Sequence, residues 1–360
     1  KNTHDVDIYV KFNQQHYKKQ SEQLADVLYA ALKKKFSLVK RLHGSRDYFQ
    51  TRYKNYSFEI VPILNITKPE HAQNTTDFSQ LHVEYVLKHV RKKRSLADEI
   101  RLMKQFAKAN QVYGAESYIK GFSGYVLELL TIHYGSYQKV LQAAKTWKSG
   151  TVIGDKTKAK KLNPSKISPL IVMDPVQPDR NAAAALSEEM FCDFIIAARA
   201  FMKNPSPSFF REKSVNLRQM KALGTAVHLE VKPLAGNRDI VGAKLLKAFA
   251  YIKEQIKHHD FTLLMSTWTF DYDKKRAAFY YVVNPHPLTD KKIYAGPPQK
   301  NIQAVQQFKK GHTNTYSKNG RVYAIEKRPY LNVEKLIKDI LEPPQVTERL
   351  HSIRSITKKI

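Results

Sequence analysis

The stretch His4-Asp5-Val6-Asp7-Ile8-Tyr9-Val10-Lys11-Phe12 alternates between polar and apolar residues, and it decides how the rest of the chain is interpreted. Every second residue from Val6 to Phe12 is β-branched or aromatic, which predicts a half-buried strand. Side chains two residues apart on a strand share a face, so Asp5 and Asp7 lie together. Two carboxylates at that spacing repel each other unless a cation lies between them, and Mg²⁺ is a cation that bridges carboxylates to phosphates. The alternative is two solvated acids on an edge strand, although Asp is depleted in strands.

A third carboxylate lies in the short alternating run Ser57-Phe58-Glu59-Ile60-Val61-Pro62. Its apolar residues face one side and Glu59 faces the other, while the proline ends regular pairing or marks an edge. If the two strands are neighbours, Asp5, Asp7 and Glu59 form a triad able to hold two metal ions roughly 3.5–4 Å apart. That arrangement suits in-line nucleotidyl transfer, in which one metal activates a hydroxyl and the other stabilises the leaving pyrophosphate.

The composition points to a polyanionic partner. The chain has 360 residues, with 61 Lys and Arg against 32 Asp and Glu, and a formal net charge of +29. This excess favours a nucleic acid, and less strongly a membrane surface, although a lysine-rich proteome bias gives the same count. The only cysteine is Cys192, which excludes an intrachain disulfide and, lying in an apolar helical run, is predicted to be a core residue. The sequence contains no transmembrane run or signal peptide, so a reducing cytoplasm is the expected compartment.

The pattern of elements predicts a multidomain α+β protein, with the largest boundary near Phe210. Residues 13–42 are predicted to form one amphipathic helix, and Ser123 is predicted to cap another helix. The first residues already belong to a strand. We therefore expect that something N-terminal to this chain is missing.

Several spaced motifs resemble those of one family, the archaeal-type (class I) CCA-adding enzymes, which are tRNA nucleotidyltransferases. The most specific is the block Gly121-Phe122-Ser123-Gly124-Tyr125-x-x-Glu128-Leu129-Leu130. The others are Tyr113-Gly114-Ala115-Glu116, Tyr134-Gly135-Ser136, Asp174-Pro175-Val176, Asp179-Arg180-Asn181, Ala185-Leu186-Ser187, Gly296-Pro297-Pro298 and Asn319-Gly320-Arg321. The similarity runs from Thr3 to about Leu341, nearly the whole chain.

The resemblance implies a polymerase-β-like nucleotidyltransferase head, a helical neck, and an α+β body and tail. On this chain we expect an incomplete head over residues 1–85, a neck that binds substrate over residues 86–210, and a tRNA-binding body and tail over residues 211–345. A basic C-terminal tail, expected to be poorly ordered, would occupy residues 346–360. The implied activity is template-independent addition or repair of the tRNA 3′-terminal CCA from CTP and ATP.

The resemblance also assigns residues to roles. Asp5 and Asp7 correspond to the first two carboxylates that bind Mg²⁺, and Glu59 to the third, which is usually an aspartate. For nucleotide binding, His82, Lys104 and Tyr113 correspond to the positions that hold the incoming triphosphate, and Arg180 corresponds to the arginine that, with the RNA backbone, selects the base. RNA binding is assigned to Gly296, Pro297, Pro298 and Arg321.

Each nucleotide-binding assignment has a plainer alternative. His82 taken alone would be an ordinary surface histidine, Lys104 a solvated helix residue and Tyr113 a core tyrosine. Arg180 has a forked guanidinium suited to a base edge or a phosphate. Its neighbour Asp179 could instead be a purely structural partner.

Two departures from the family affect the expected function. The Gly-Ser segment at a helix N-terminus that cradles the triphosphate is not found before Asp5, so a separate polypeptide could supply it. Glu59 in place of aspartate lengthens one metal ligand by a methylene. The alternative function is therefore a noncatalytic tRNA-binding subunit that needs a separate head fragment, and a poly(A) polymerase-like enzyme is a weaker third. The family often dimerises, so a homodimer is also expected, and a membrane partner is not.

Overall fold

A computed structural model describes residues 4–212 and 214–355, which divide into one compact unit ending at residue 213 and another beginning at residue 214. The division lies three residues beyond the predicted boundary at residues 210–211. Both units combine helices and sheets, which confirms the multidomain α+β class. No helix in these described stretches is long and apolar enough to cross a membrane.

The first unit begins with a four-stranded sheet in the order β1-β4-β3-β2, covered by short helices. Its elements are β1 (His4–Asn13), α1 (Gln14–Tyr17), α2 (Leu24–Lys33), β2 (Lys40–Leu42), β3 (Tyr48–Tyr53), β4 (Tyr56–Asn65) and α3 (Ser79–Lys92). β1 pairs in parallel with β4, and β4 pairs antiparallel with β3. The expected domain boundary between residues 85 and 86 falls inside α3.

Apolar side chains on alternate positions decide which face of this sheet is buried. Phe49 of β3 and Ile60 of β4 are paired in register and pack against Ala25 and Leu28 of α2. Because the side-chain period of a strand is two, the acidic residues of β1 and β4 fall on the opposite face.

The predicted continuous helix over residues 13–42 is wrong. α1 ends at Tyr17, Gln20 has the non-helical values φ −118° and ψ 25°, and α2 ends at Lys33. The following residues 40–42 pair with β3 as a strand. The apolar positions that suggested one helix belong to α2 alone, and Val39, in the non-helical segment after it, packs against the core of the sheet.

A helical layer with a two-stranded parallel sheet completes the first unit. It contains α4 (Leu96–Ala109), α5 (Gly124–Tyr134), α6 (Tyr137–Ala144), β5 (Thr151–Ile153), α7 (Lys156–Ala159), β6 (Leu170–Val172) and α8 (Glu188–Lys203). α5 lies centrally, and its residues Leu127 and Leu130 have no exposed surface. Cys192 is exposed on α8, so its prediction as a core residue is wrong. The buried face of that helix carries Phe191 and Phe194, and Cys192, next to Phe191, points away from that face.

The second unit contains two antiparallel sheets and their helices. Its elements are α9 (Leu217–Leu223), β7 (Thr225–Lys232), α10 (Arg238–His258), β8 (Leu263–Asp271), β9 (Arg276–Val283), β10 (Lys291–Pro298), α11 (Ile302–Gly311), β11 (Thr315–Lys318), β12 (Arg321–Lys327), α12 (Val333–Ile340), α13 (Pro344–Thr347) and β13 (Ser352–Ser355). One sheet has the order β13-β7-β9-β8 and the other β10-β12-β11. α10 and α12 pack with the first sheet around Phe279 and Tyr281.

The segment expected to be a poorly ordered basic tail is part of this second unit as far as it is described. β13 pairs antiparallel with β7, and Ile353 lies opposite Val231. Val346 of α13 has no exposed surface. The short apolar pattern of this segment, which lies among basic residues, was not recognised in the sequence, and its strand β13 forms an edge of the sheet. Residues 356–360 lie outside the described part.

A buried ion pair anchors the start of α3 to the sheet of the first unit. The Asp77 carboxylate is fully buried and accepts hydrogen bonds from Arg46 Nη1 at 2.5 Å and from the backbone amides of Leu64, Gln73 and Asn74 at 2.9–3.0 Å. Arg46 also donates to the carbonyl of Pro62. Every oxygen of the buried carboxylate is therefore satisfied, which is the condition under which burial of a charge is tolerated.

Replacing Asp77 by alanine is expected to lower the free energy of unfolding by about 3–5 kcal/mol, because Arg46 would be left as an uncompensated buried cation. Urea unfolding would measure this change. The control is Arg101→Ala, which breaks the largely exposed Asp98–Arg101 pair of α4 and should change stability by less than about 1 kcal/mol. Equal effects of the two substitutions would contradict the role given to the buried pair.

Candidate active site

The acidic residues of β1 and β4 lie side by side, as the sequence predicts. Asp7 and Glu59 are partners in the parallel register, and Gln50 of β3 is the antiparallel partner of Glu59. Gln50 Nε2 donates to Glu59 Oε1 at 2.6 Å. The three side chains form a polar row across three strands, with Asp7 exposed at its end. Gln50 was not predicted, and its place opposite Glu59 follows from the pairing of the strands.

The third predicted ligand, Asp5, lies opposite Ser57 on the backbone of β1, but its side chain is outside the described part. Among the described residues no group of three or more His, Cys, Asp or Glu side chains is close enough to hold a metal ion. The metal triad of Asp5, Asp7 and Glu59 therefore stays a prediction.

A second group converges on the bare backbone of Gly124, the first residue of α5. A Cβ atom built there would lie 3.0 Å from Tyr113 Oη and 3.6 Å from Lys104 Nζ. Lys104 Nζ donates to Glu128 Oε1 at 2.6 Å, and Lys108 Nζ lies 5.0 Å from the centroid of the Tyr113 ring. Glycine at position 124 thus leaves room for a cation and a phenol beside the backbone at the start of α5. No role was predicted for Glu128, although it belongs to the same motif and lies one helical turn after Gly124.

The loop that delivers this group is closed by backbone hydrogen bonds. The amide of Phe122 donates to the carbonyl of Val112 at 2.8 Å, and the amide of Gly114 donates to the carbonyl of Phe122 at 2.8 Å. A Cβ atom at Gly121 would lie 2.3 Å from the carbonyl oxygen of Val112, so only glycine fits. Ser123 then caps α5 by accepting from the amide of Val126, which confirms its predicted role. The glycine-rich motif is therefore a turn that fixes where α5 begins.

A third group surrounds the carboxylate of Asp174, whose side chain is fully buried. Arg180 Nη1 donates to its Oδ2 at 2.8 Å, and Tyr125 Oη donates to its Oδ1 at 3.1 Å. His82 Nε2 lies 3.2 Å from Oδ2, a close contact without the alignment of a hydrogen bond. Burial alone raises the pKa of Asp174, but the contacts with His82, the amide of Val176 and Arg180 outweigh it and lower this pKa below its usual value. The carboxylate is thereby kept charged.

α5 connects the second and third groups, because Gly124 and Tyr125 are consecutive. The Tyr125 ring also contacts the imidazole of His82, with ring centroids 4.3 Å apart. His82 is therefore half-buried and packed, not an ordinary surface histidine. The structural partner of Arg180 is Asp174 and not Asp179. Asp174 lies in one of the family motifs, but the sequence alone predicts no role for it.

The predicted RNA-binding residues of the second unit lie together at one end of the paired strands β10 and β12. Pro298 of β10 is the register partner of Arg321 of β12, whose Nη1 donates to the carbonyl of Gly296 at 3.2 Å. A Cβ atom at Gly296 would lie 2.8 Å from the Phe308 ring. Pro297 lies between these contacts on β10. Local packing accounts for Gly296, and binding of RNA by the four predicted residues is untested.

Comparisons with known proteins agree over both units. Family models match residues 98–211 (tRNA nucleotidyltransferase, second domain) and residues 226–358 (CCA-adding enzyme, C-terminal domain). The CCA-adding enzyme of Nanoarchaeum equitans is 31% identical over 330 residues, which are 89% of this chain and 79% of that protein. This chain belongs to the CCA-adding enzyme family. The family member of Methanocaldococcus jannaschii is 29% identical over 362 residues, covering 95% and 78% of the two chains.

The resemblance seen in the motifs is thus confirmed for the family as a whole. The CCA-adding enzyme of Sulfolobus acidocaldarius is 32% identical over 302 residues, which are 82% of this chain and 68% of that protein. Among solved structures, a cytoplasmic RNA terminal U-transferase superposes with a TM-score of 0.43 and 14% identity, over 59% of this chain and 81% of that one.

In this CCA-adding enzyme family member, Gly124→Ala is expected to separate stability from nucleotide binding. Alanine favours a helix over glycine by about 1 kcal/mol, so the melting temperature should stay the same or rise. The added methyl group would displace Tyr113 Oη; if this hydroxyl binds a phosphate, as the resemblance predicts, affinity for CTP should fall roughly tenfold, the loss of about one charge-assisted hydrogen bond. Calorimetric titration and thermal unfolding would measure both. Unchanged affinity in a stable variant would contradict a role for this close approach.

Gly296→Ala is expected to destabilise the second unit by about 1–3 kcal/mol, because its methyl group overpacks against Phe308. Chemical unfolding would measure the change. Gly311→Ala is the matched control, since a Cβ atom at Gly311 meets nothing within 4 Å. A Gly296→Ala variant as stable as the control, but with weaker RNA binding, would show that this glycine serves contact with RNA instead of packing.

Proposed function

We propose that this chain adds or repairs the 3′-terminal CCA of tRNA, using CTP and ATP and no nucleic-acid template. The observation that carries the proposal is the meeting of a cation and a phenol at Gly124 beside the Asp174–Arg180 pair, in a member of the CCA-adding enzyme family. One group has the chemistry to bind a triphosphate and the other the chemistry to read a base edge. Consecutive residues of α5 hold the two together.

The residues of the sheet fit a magnesium site. Asp7 and Glu59 offer hard oxygen ligands from neighbouring register positions, and Gln50 engages one oxygen of Glu59 and so orients its carboxylate. We propose that Asp5 completes the set. When bound there, Mg²⁺ would supply positive charge that makes a nearby hydroxyl more acidic and balances the charge of phosphates.

The residues around Gly124 would hold the triphosphate. Lys104 provides a point charge, and Tyr113 provides a hydroxyl that can donate to a phosphate oxygen. Glu128 pairs with Lys104 and keeps its ammonium group in place before the nucleotide arrives. The resemblance assigns His82 to the triphosphate, but because it contacts Asp174 and Tyr125 we propose instead that it lies on the side of the site that faces the base.

In this proposal the 3′ hydroxyl of tRNA loses its proton and attacks the α-phosphate of CTP or ATP, and pyrophosphate leaves. The chain's contribution is to position the two substrates and to balance negative charge. The excess of 61 basic over 32 acidic residues suits the tRNA backbone. The end of the β10–β12 pair, formed by residues 296–298 and Arg321, is the proposed RNA contact of the second unit.

The second candidate function is a noncatalytic tRNA-binding subunit that needs a separate head fragment. The net charge of +29 supports tRNA binding by itself, whether or not chemistry follows. A separate head polypeptide and a homodimer are both compatible with either function.

Transfer of labelled CMP and AMP to tRNA lacking its CCA end, in the presence of Mg²⁺, tests the proposal. We expect incorporation by the chain, alone or with a co-purifying polypeptide, and a loss of at least about 10³-fold in Asp7→Ala, because a metal ligand contributes several kcal/mol to the transition state. Asp98→Ala, which removes an exposed acid of α4, is the control. Tight, salt-sensitive tRNA binding without any incorporation would favour the second candidate.

A further inference from the structure

The carboxylate of Asp174 is a meeting point for three separate segments of the first unit. It accepts from Arg180 and Tyr125 and contacts His82 of α3. The backbone amides of Val176 and Gln177 donate to its Oδ1 at 2.9 and 3.3 Å. A carboxylate with no exposed surface keeps its charge only when donors of this kind surround it.

Arg180 is held at one end and accessible at the other. Only Nη1 is engaged, by Asp174 Oδ2, and 44% of the side chain is exposed. No other partner of its guanidinium occurs in residues 4–212 and 214–355. An arginine has five N–H donors in a rigid fork, so the anchored guanidinium retains donors for a ligand.

The backbone around Arg180 is fixed as well. The amide of Asp174 donates to the carbonyl of Arg180 at 3.0 Å, and Met173 forms an antiparallel bridge with Asn181. The buried Asn181 accepts from the amides of Val172 and Ala183 and donates to the carbonyl of Lys166. With the main chain held on both sides, the remaining freedom of Arg180 is its long side chain.

His82 is constrained by the same carboxylate. Its ring lies between Phe78 and Tyr125, with centroid distances of 6.5 and 4.3 Å. The ring contacts limit its tilt, and the 3.2 Å approach of Nε2 to Asp174 limits its rotation. The buried carboxylate of Asp174 therefore constrains the orientation of both Arg180 and His82.

We infer that Asp174 is a positioning residue that fixes Arg180 and His82 in one orientation, and that this orientation sets the discrimination among the bases of the incoming nucleoside triphosphate. The inference rests on the proposed function, in which Arg180 reads the base. Loss of the Asp174 charge would let the Arg180 side chain sample other rotamers, so that its donors no longer match one base edge. Binding of the triphosphate by Lys104 and Tyr113 is common to all four nucleotides and would not change.

Competition binding on the complex of the full chain with tRNA lacking its CCA end tests this inference. Labelled CTP is displaced by unlabelled CTP or UTP in the presence of Mg²⁺, which gives the ratio of the two dissociation constants without any need for catalysis. In Asp174→Asn we expect the preference for CTP over UTP to fall about tenfold. The dissociation constant for tRNA, and the sum of the association constants for CTP and UTP, should each stay within twofold of the wild-type value. Asp174→Ser, a smaller neutral acceptor, is the second variant if the asparagine does not pack.

Asp77→Asn is the matched control, because it removes the charge of another fully buried, arginine-paired carboxylate of the same unit. It should lower the melting temperature comparably and leave the CTP-to-UTP ratio unchanged. In Arg180→Ala the ratio should fall, and adding Asp174→Asn to that variant should reduce it no further, because Asp174 acts through Arg180.

The outcomes separate the inference from the function on which it rests. A wild-type complex that binds CTP and UTP equally would remove base reading by Arg180, and with it this inference. A wild-type complex that discriminates, together with a folded Asp174→Asn variant that keeps the same ratio, would overturn the inference alone. Loss of discrimination in both Asp174→Asn and Asp77→Asn would assign the effect to general destabilisation and would also overturn it.

Discussion

The structure of the first unit depends on keeping one carboxylate charged where water does not reach it. Asp174 has no exposed surface, yet its donors lower its pKa below the ordinary value. The side chains around this carboxylate come from three different parts of the unit: Tyr125 of α5 and Arg180 of the loop after β6 donate to it, and His82 of α3 contacts it. Because an unpaired buried charge is costly, these elements are held at one distance from one another. The need to keep the Asp174 carboxylate paired therefore fixes the positions of these three elements in the site.

The second constraint on the site comes from two glycine residues, because the absence of a side chain lets other groups approach the backbone closely. At Gly121 the carbonyl of Val112 approaches too closely for any side chain, and at Gly124 a phenol and an ammonium group take the place where a side chain would be. The motif that carries the family resemblance is thus explained by packing. Its glycines place the beginning of α5, and the site is built on that beginning. Leu127 and Leu130 then bury the rest of the helix in the core, which makes the support rigid.

The positions of the acidic residues on β1 and β4 could be predicted in part from the local alternation of the sequence. Alternation placed Asp7 and Glu59 on polar faces, and parallel pairing of β1 with β4 put them in register. The same reasoning failed for residues 13–42, where a helical period continued past the point at which tertiary packing ended the helix, and for Cys192, which an apolar run suggested was buried. A periodic pattern shows which side chains could be buried together. Whether they are buried depends on whether another element packs against them in the fold.

The sequence by itself determined the α+β class, the family, the face on which Asp7 and Glu59 lie and the cap at Ser123, because these follow from local periodicity and from motifs of fixed spacing. Only the tertiary structure decided that Arg180 pairs with Asp174 instead of Asp179, that Glu128 holds Lys104, and that Gln50 engages Glu59. These contacts join residues on different elements, or across the turn of one loop. Their distances depend on how the backbone folds back, which spacing along the chain does not encode.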